Sequence, residues 1–421
     1  MDHFNYHKGW LAAEDVSIKT LAEEIGTPFY CYSTATLVRH YRVFAEGFKE
    51  IPTQICYALK ANSNIAVIKT LANEGAGADC VSEGEVMRAL KAGVDPKKIV
   101  FSGVGKSRGE MAFALKKKIG QFNVESREEL KMLSEVAASL SVTANIAIRV
   151  NPDVDAHTND KITTGRKTDK FGIGWEEVKE TYADAKRYGS LNVVGVSTHI
   201  GSQITDLAPF EAAFKRVVGL VEELRTEGYA IKRLDLGGGL GIPYHHTKIP
   251  PSPADYARLI TTLVKPLQVE LIVEPGRVLC GNAGILVSRV ILVKRTPHRT
   301  FAVIDAGMND LIRPTLYSAH HDIVPVEEVL NKKVFEKMDV VGPVCETGDV
   351  FARDRELPQL KEGDLIAFRS AGAYGAVMAG TYNTRLLVPE VMVNGEKHAV
   401  IRARESYKQL LAHDKVPGWL S

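Results

Sequence analysis

Lys60 stands at the end of the apolar run Cys56-Tyr57-Ala58-Leu59, so the chain carries a long amine out of a hydrophobic segment. Desolvation favours the neutral amine relative to its reference pKa of about 10.4, and a neutral amine is what Schiff-base formation with a carbonyl compound needs. Taken alone, Lys60 is as well read as a lysine snorkelling from a strand end. The run Gly237-Gly238-Gly239-Leu240-Gly241 is either a tight turn or a place where backbone N–H groups approach a phosphate. A dinucleotide fingerprint fits it poorly, because Pro243 and His245-His246 follow where that motif starts a helix. The two histidines read as solvated loop residues, not metal ligands. Glu274-Pro275-Gly276-Arg277 offers a carboxylate that is either an ion-pair partner of Arg277 or available to a ligand. Asp79 and His199-Ile200-Gly201-Ser202 add a second carboxylate, a ring and a hydroxyl.

These residues need elements to bring them together. Apolar runs at 55–59, 76–81, 99–102, 122–125, 145–150, 192–200, 233–236 and 270–274 read as eight strands, and a helical pattern follows each of the first seven. Residues 108–119 and 209–225 show the helical spacing most clearly. Gly75, Gly93, Gly120, Gly189 and Gly228 are expected as left-handed caps after helices. Eight alternating units predict an α/β fold, a (β/α)8 TIM-like barrel over residues 31–279. Residues 152–175 form a polar stretch long enough to be a functional lid or mobile segment. After Arg277 the pattern turns to strands at 284–295, 301–305, 334–341, 364–370 and 386–393. Residues 1–30, with a strand at 9–15 and a helix at 17–25, are too short to fold alone and are assigned with 280–421 to a second, mostly β domain.

Composition narrows the class. The chain has 421 residues, 45% apolar and 25% charged, as a globular protein with room for two domains does. A formal net charge of +2, with both signs interspersed, predicts no nucleic-acid or membrane surface and favours a small polar substrate. Five cysteines stand singly, arguing against a disulfide framework or CxxC metal site and for a reducing compartment. With no secretory leader pattern and no membrane-spanning run, the expectation is a cytoplasmic protein.

In a β/α barrel the active site lies at the C-terminal strand ends, which is where Lys60, Asp79, His199, the glycine run and Glu274 fall. In a pyridoxal phosphate site such a set would supply the Schiff-base amine, a phosphate loop and a carboxylate able to keep the pyridine nitrogen protonated. There His199 would stack on the ring and Ser202 reach the phosphate, whereas a barrel histidine is otherwise often only a satisfied polar residue.

Six motifs in order carry a wider likeness: 57–62 (Tyr-Ala-Leu-Lys-Ala-Asn), 199–203 (His-Ile-Gly-Ser-Gln), 237–241, 274–277, 345–349 (Cys-Glu-Thr-Gly-Asp) and 372–375 (Gly-Ala-Tyr-Gly). Over nearly the whole chain they resemble the diaminopimelate decarboxylase family, of fold type III. The resemblance implies a homodimer with shared active sites, with Lys60 carrying the cofactor. It places Asp79 and His199 at the cofactor ring. Ser202, Gly238, Gly239, Gly241 and the segment Glu274, Pro275, Gly276 and Arg277 bind its phosphate and pyridine ends, and Tyr374 lies near phosphate and substrate. It makes Cys345 the proton donor, supplied with Glu346 by the partner subunit. A thiol suits that task, since its reference pKa of about 8.5 lies near neutrality; most free cysteines are instead small buried hydrophobes. The same pattern gives the substrate's distal carboxylate to Arg277, Arg313 and Tyr317, and its distal amine to Glu346. Arg313 and Tyr317 read as part of a loop, 310–317, and singly as surface residues. Ala371 and Thr347 stand where Thr and Ser are more usual in the family. The implied reaction is decarboxylation of meso-2,6-diaminopimelate at its D-centre to L-lysine, the last step of lysine biosynthesis. The rivals are an ornithine, lysine or arginine decarboxylase or a racemase of the same fold, or a non-catalytic homologue.

Overall fold

The structure, a computed structural model, describes residues 2–156, 159, 161–244, 249–331 and 334–420. His245 and His246 lie outside the described residues. The chain divides into two compact units, residues 37–279 and residues 1–36 with 280–421.

The first unit is a closed barrel of eight parallel strands: β1 (Thr53–Ala58), β2 (Gly77–Cys80), β3 (Ile99–Phe101), β4 (Gln121–Val124), β5 (Ala144–Arg149), β6 (Leu191–Ser197), β7 (Arg233–Asp235) and β8 (Glu270–Val273). Helices follow the first seven strands: α1 (Ile65–Asn73), α2 (Glu83–Lys91), α3 (Arg108–Lys116), α4 (Arg127–Ser139), α5 (Val178–Arg187), α6 (Ala208–Thr226) and α7 (Pro253–Val264). The strands are short and buried at their C-terminal ends, as expected when helices cover the outside and side chains fill the inside. Ser82, Ser107 and Ser126 cap α2, α3 and α4 by accepting the N–H three residues on, so each loop ends in a defined helix start.

Of the five expected glycine caps, Gly75, Gly93 and Gly228 take positive φ and Gly120 and Gly189 do not. Lys118 occupies the left-handed position after α3 instead. Gly120 is needed for another reason: a Cβ there would lie 2.1 Å from the Lys97 carbonyl oxygen. Nothing in the structure explains Gly189.

The second unit holds a three-stranded sheet, Phe4–His7, Trp10–Ala13 and Val16–Ser17, and a larger sheet. In the larger sheet Val350–Pro358, Phe335–Val341, Thr300–Ile304, Gly284–Arg295, Phe29–Ser33, Glu390–Asn394 and Lys397–Arg402 pair in that order. Leu365–Phe368 pairs with Gly284–Arg295 and with Ile323–Pro325. The helix Ile18–Ile25 packs its Ile18 and Leu21 into a core with Phe29, Ile285, Val287 and Val391. The expected domain boundary at residue 31 therefore moves: Phe29–Ser33 bonds between Gly284–Arg295 and Glu390–Asn394, and the division falls after Thr36. The strands Val350–Pro358 and Lys397–Arg402, not expected from sequence, are the two ends of the paired order. Edge strands carry charges that blur alternation. The expected loop at 310–317 contains a short helix, Arg313–Tyr317, and Arg313 is buried, not a surface residue.

Candidate active site

Alternation along the barrel strands changes character at their C-terminal ends. Cys56, Val100 and Ile272 form an apolar interior layer. Two residues on from Val100 and Ile272 stand Ser102 and Glu274, and Asn123, Asp235 and Asp79 join them as buried polar groups. Lys60 lies in the single turn Leu59–Ala61 just past β1, not at its last residue, and its Nζ is 2.7 Å from Asp79 Oδ2. Asp79 is fully buried, and its Oδ1 has no hydrogen-bond partner within the protein. Asn123 Nδ2 donates to Asp235 Oδ2 at 2.8 Å and to Ser102 Oγ at 3.1 Å, and lies 3.4 Å from Glu274 Oε1.

Glu274 and Asp235 share one buried cluster, both approached by Asn123 Nδ2. Burial pushes both carboxyls up, and the charges of Asp235 and Asp79 push Glu274 further against the opposing Lys60. Burial also raises Glu85, in the first turn of α2, to about 7, with Asp79 adding to the rise. His199 is held neutral, first by desolvation and then by the cations of Lys60 and Arg149. The pair Asp235 and Glu274 carries a pH dependence of known sign. A carboxyl raised in the folded state favours folding below the ordinary carboxylate range, and that contribution is lost as pH rises through the folded value. The melting temperature of cofactor-free protein should therefore fall with rising pH above that range. Asp235→Asn should flatten the decline; an unchanged slope in the variant would rule the pair out as its source.

Past β6, His199 and Ser202 lie on a turn pinned by the 152–175 segment. Thr164 Oγ1 donates to the His199 carbonyl at 2.9 Å, and the Ser202 N–H donates to the Ile162 carbonyl at 3.2 Å. The glycines are dictated by crowding: a Cβ on Gly238 would lie 2.2 Å from the Glu274 carbonyl oxygen, and one on Gly239 2.4 Å from that of Gly201. Two of the N–H groups expected to face a phosphate are engaged internally, Gly238 with His199 Nδ1 at 3.2 Å and Gly241 with the Ile204 carbonyl at 2.9 Å. What the close approach accomplishes is to seat Arg277 beside Ser202, with Nη2 to Oγ at 3.2 Å, while Nη1 donates to Tyr244 Oη at 2.7 Å. A buried guanidinium, a hydroxyl and a glycine-lined backbone suit a phosphate, and the buried carboxyls of Asp79, Glu274 and Asp235 suit the ring of a heteroaromatic group. The residues present thus fit pyridoxal phosphate.

The remaining expected site residues belong to the second unit. Cys345 and Glu346 sit on an exposed turn, whereas the other four cysteines are buried. Asp349 builds that turn by accepting the Val344 and Met308 N–H groups, each at 2.7 Å, and Asn383 Oδ1 accepts the Cys345 N–H at 2.9 Å. Tyr374 takes φ +56°, a conformation that a bulky residue holds only when its surroundings impose it. Its neighbour Gly372 would place a Cβ 2.0 Å from the Cys280 carbonyl oxygen. Among the described residues, no group of three or more His, Cys, Asp or Glu side chains is placed to hold a metal, and no helix is long and apolar enough to cross a membrane.

Sequence reasoning missed Asn123, Asp235 and Glu85. The first two could have been found by extending the period-two alternation to the end of each strand; Glu85 carries no such signal.

Comparison with known proteins gives concordant results. The sequence profile described as "Pyridoxal-dependent decarboxylase, pyridoxal binding domain" matches residues 34–281. The chain is 50% identical over 418 residues to a diaminopimelate decarboxylase of Vibrio cholerae, with 99% of each chain covered. It superposes on a crystal structure of diaminopimelate decarboxylase from M. jannaschii in complex with L-lysine with a TM-score of 0.95, at 39% identity over 100% of this chain and 99% of the other. The Helicobacter pylori enzyme with L-lysine gives a TM-score of 0.90 at 42% identity, over 94% and 98% of the two chains.

Proposed function

The chain belongs to the pyridoxal-dependent decarboxylases, within their diaminopimelate decarboxylase group, and from that premise we infer that it converts meso-2,6-diaminopimelate to L-lysine and CO2, the last step of lysine biosynthesis. The observation that carries this reading is the Lys60 amine held 2.7 Å from a fully buried carboxylate at the mouth of the eight-stranded barrel.

Pyridoxal 5'-phosphate, when bound, supplies a carbonyl that condenses with amines and a ring that accepts the electron pair left when CO2 departs. Lys60 is the amine that would hold the cofactor covalently. Asp79 keeps the Lys60 amine in place. His199, neutral and fixed through its backbone by Thr164, provides a flat face for the ring without adding a competing cation. Glu274, backed by Asp235 and Asn123, is the carboxylate that would pair with the pyridine nitrogen and keep it protonated. Arg277, Ser202, Gly239 and the backbone of Pro275 and Gly276 would receive the phosphate and pyridine ends of the cofactor, with Gly238 and Gly241 shaping the loop, and the family pattern puts Tyr374 near phosphate and substrate.

The bond that breaks joins the D-centre carbon to its carboxylate, and the residues that grip the substrate's far end would fix its orientation. Arg313, Tyr317 and Arg277 hold the distal carboxylate and Glu346 the distal ammonium, fixing the substrate at its far end. Cys345 of the partner subunit then returns one proton to the carbon. The exposed position of Cys345 and Glu346 supports their presentation to another subunit in a homodimer. The singly placed cysteines support a reducing compartment, which we take as the cytoplasm.

Purified protein incubated with pyridoxal phosphate and meso-2,6-diaminopimelate should release CO2 and L-lysine in equal amounts, with ornithine and lysine turned over far more slowly. Faster release of CO2 from ornithine or lysine would assign it to the rival decarboxylases, and racemised substrate without CO2 to the racemases.

A further inference from the structure

We propose that His321 is a positioning residue for substrate specificity, a neutral imidazole that accepts a hydrogen bond from Arg313 and aims that guanidinium at the substrate's distal carboxylate. The proposal rests on the reading of Arg313 as the distal carboxylate's partner and says how that arginine is held.

Arg313 opens the short helix Arg313–Tyr317 and is 5% exposed; His321 is 1% exposed. Arg313 Nη1 lies 2.8 Å from His321 Nε2. A guanidinium only donates, so Nε2 is the acceptor and carries no hydrogen. The other ring nitrogen, Nδ1, lies 2.9 Å from the carbonyl oxygen of Arg369, which only accepts, so Nδ1 carries the hydrogen. One species satisfies both bonds, the neutral Nδ1–H tautomer. The preceding histidine is wired the opposite way. His320 Nε2 lies 2.8 Å from Asp322 Oδ1 and its Nδ1 3.0 Å from Arg355 Nη2, while Arg355 Nη1 donates to the His321 carbonyl at 3.0 Å. The Arg369 N–H donates to the Asp322 carbonyl at 2.8 Å, just beyond the strand Leu365–Phe368. His321 is therefore anchored to the sheet on one side and to Arg313 on the other.

The chemistry of the partner matters. A carboxylate in the place of His321 would orient Arg313 but cancel its charge and compete with the ligand. A neutral acceptor orients the guanidinium without bringing a negative charge of its own. Holding the long side chain in place beforehand also removes an ordering cost from binding.

The test uses the pyridoxal phosphate-loaded enzyme and two ligands. L-Lysine keeps the carboxylate of the distal centre, and 1,5-diaminopentane lacks it. In His321→Asn the amide can keep the bond to Arg369 but presents nothing at the Nε2 position; in His321→Gln an amide oxygen reaches that position. His321→Asn should weaken L-lysine about 10-fold or more, the loss expected for a hydrogen bond to a charged group. It should raise KM for diaminopimelate similarly with kcat little changed, and leave 1,5-diaminopentane unaffected. His321→Gln should recover most of the loss. Arg313→Met should weaken L-lysine further and make His321→Asn silent when combined. If Arg313→Met weakens L-lysine and His321→Asn does not, the proposal is overturned and the role of Arg313 stands. If Arg313→Met leaves L-lysine unchanged, the role of Arg313 itself fails. Equal weakening of both ligands by His321→Asn would mark a general packing defect and also overturn the proposal.

Discussion

Lys60→Ala is expected to lower kcat for diaminopimelate by about four orders of magnitude or more, because it removes the covalent route and not only a contact. Lys60 is the amine at the barrel mouth within 2.7 Å of Asp79, and its side chain is 35% exposed, open enough to exchange with an incoming amine. The variant should still take up pyridoxal phosphate through Arg277, Ser202 and the glycine-lined loop, but borohydride should no longer fix the cofactor to the protein. Wild-type turnover in Lys60→Ala would end the assignment of this lysine. Loss of turnover with borohydride fixation intact would place the covalent site on another lysine.

Cys345→Ala should slow product formation by about 10²–10⁴-fold, the usual worth of a positioned general acid, while cofactor uptake and its visible absorption remain as in the wild type. The turn that presents Cys345 is built by Asp349 and Asn383 through backbone bonds, so removing the thiol leaves the turn intact. Shared sites predict complementation as well. Mixing Lys60→Ala with Cys345→Ala should restore part of the activity, since one of the two sites in a mixed dimer then has both groups intact. Unchanged kinetics in Cys345→Ala would remove it as the acid, and failed complementation between folded, exchanging dimers would argue against an acid supplied across subunits.

The barrel was legible because its signal is local. Eight buried strands alternating with amphipathic helices leave a period in the chain, and seven helices follow the first seven strands as the pattern requires. The second unit was less legible. Its edge strands, Val350–Pro358 and Lys397–Arg402, carry Arg, Asp, Glu, Lys and His that solvate an open edge and erase alternation. Phe29–Ser33 was drawn to the barrel by proximity in sequence, though its hydrogen bonds lie with strands more than 240 residues away.

The sequence by itself determined which groups can do the chemistry: a lysine after an apolar run, a glycine loop, a carboxylate before Pro275-Gly276-Arg277, and an unpaired cysteine in a polar motif. Covalent reactivity belongs to residue type, and motif order preserves it. Only the tertiary structure decided how those groups are tuned. Asn123 and Asp235 reach Glu274 because strands far apart in the chain converge inside one barrel, and their shared burial and charge push the Glu274 carboxyl up. The tautomer of His321 likewise depends on Arg313 and Arg369, which approach it through folding. Electrostatic energy depends on distance and dielectric, and neither quantity is written along a one-dimensional chain.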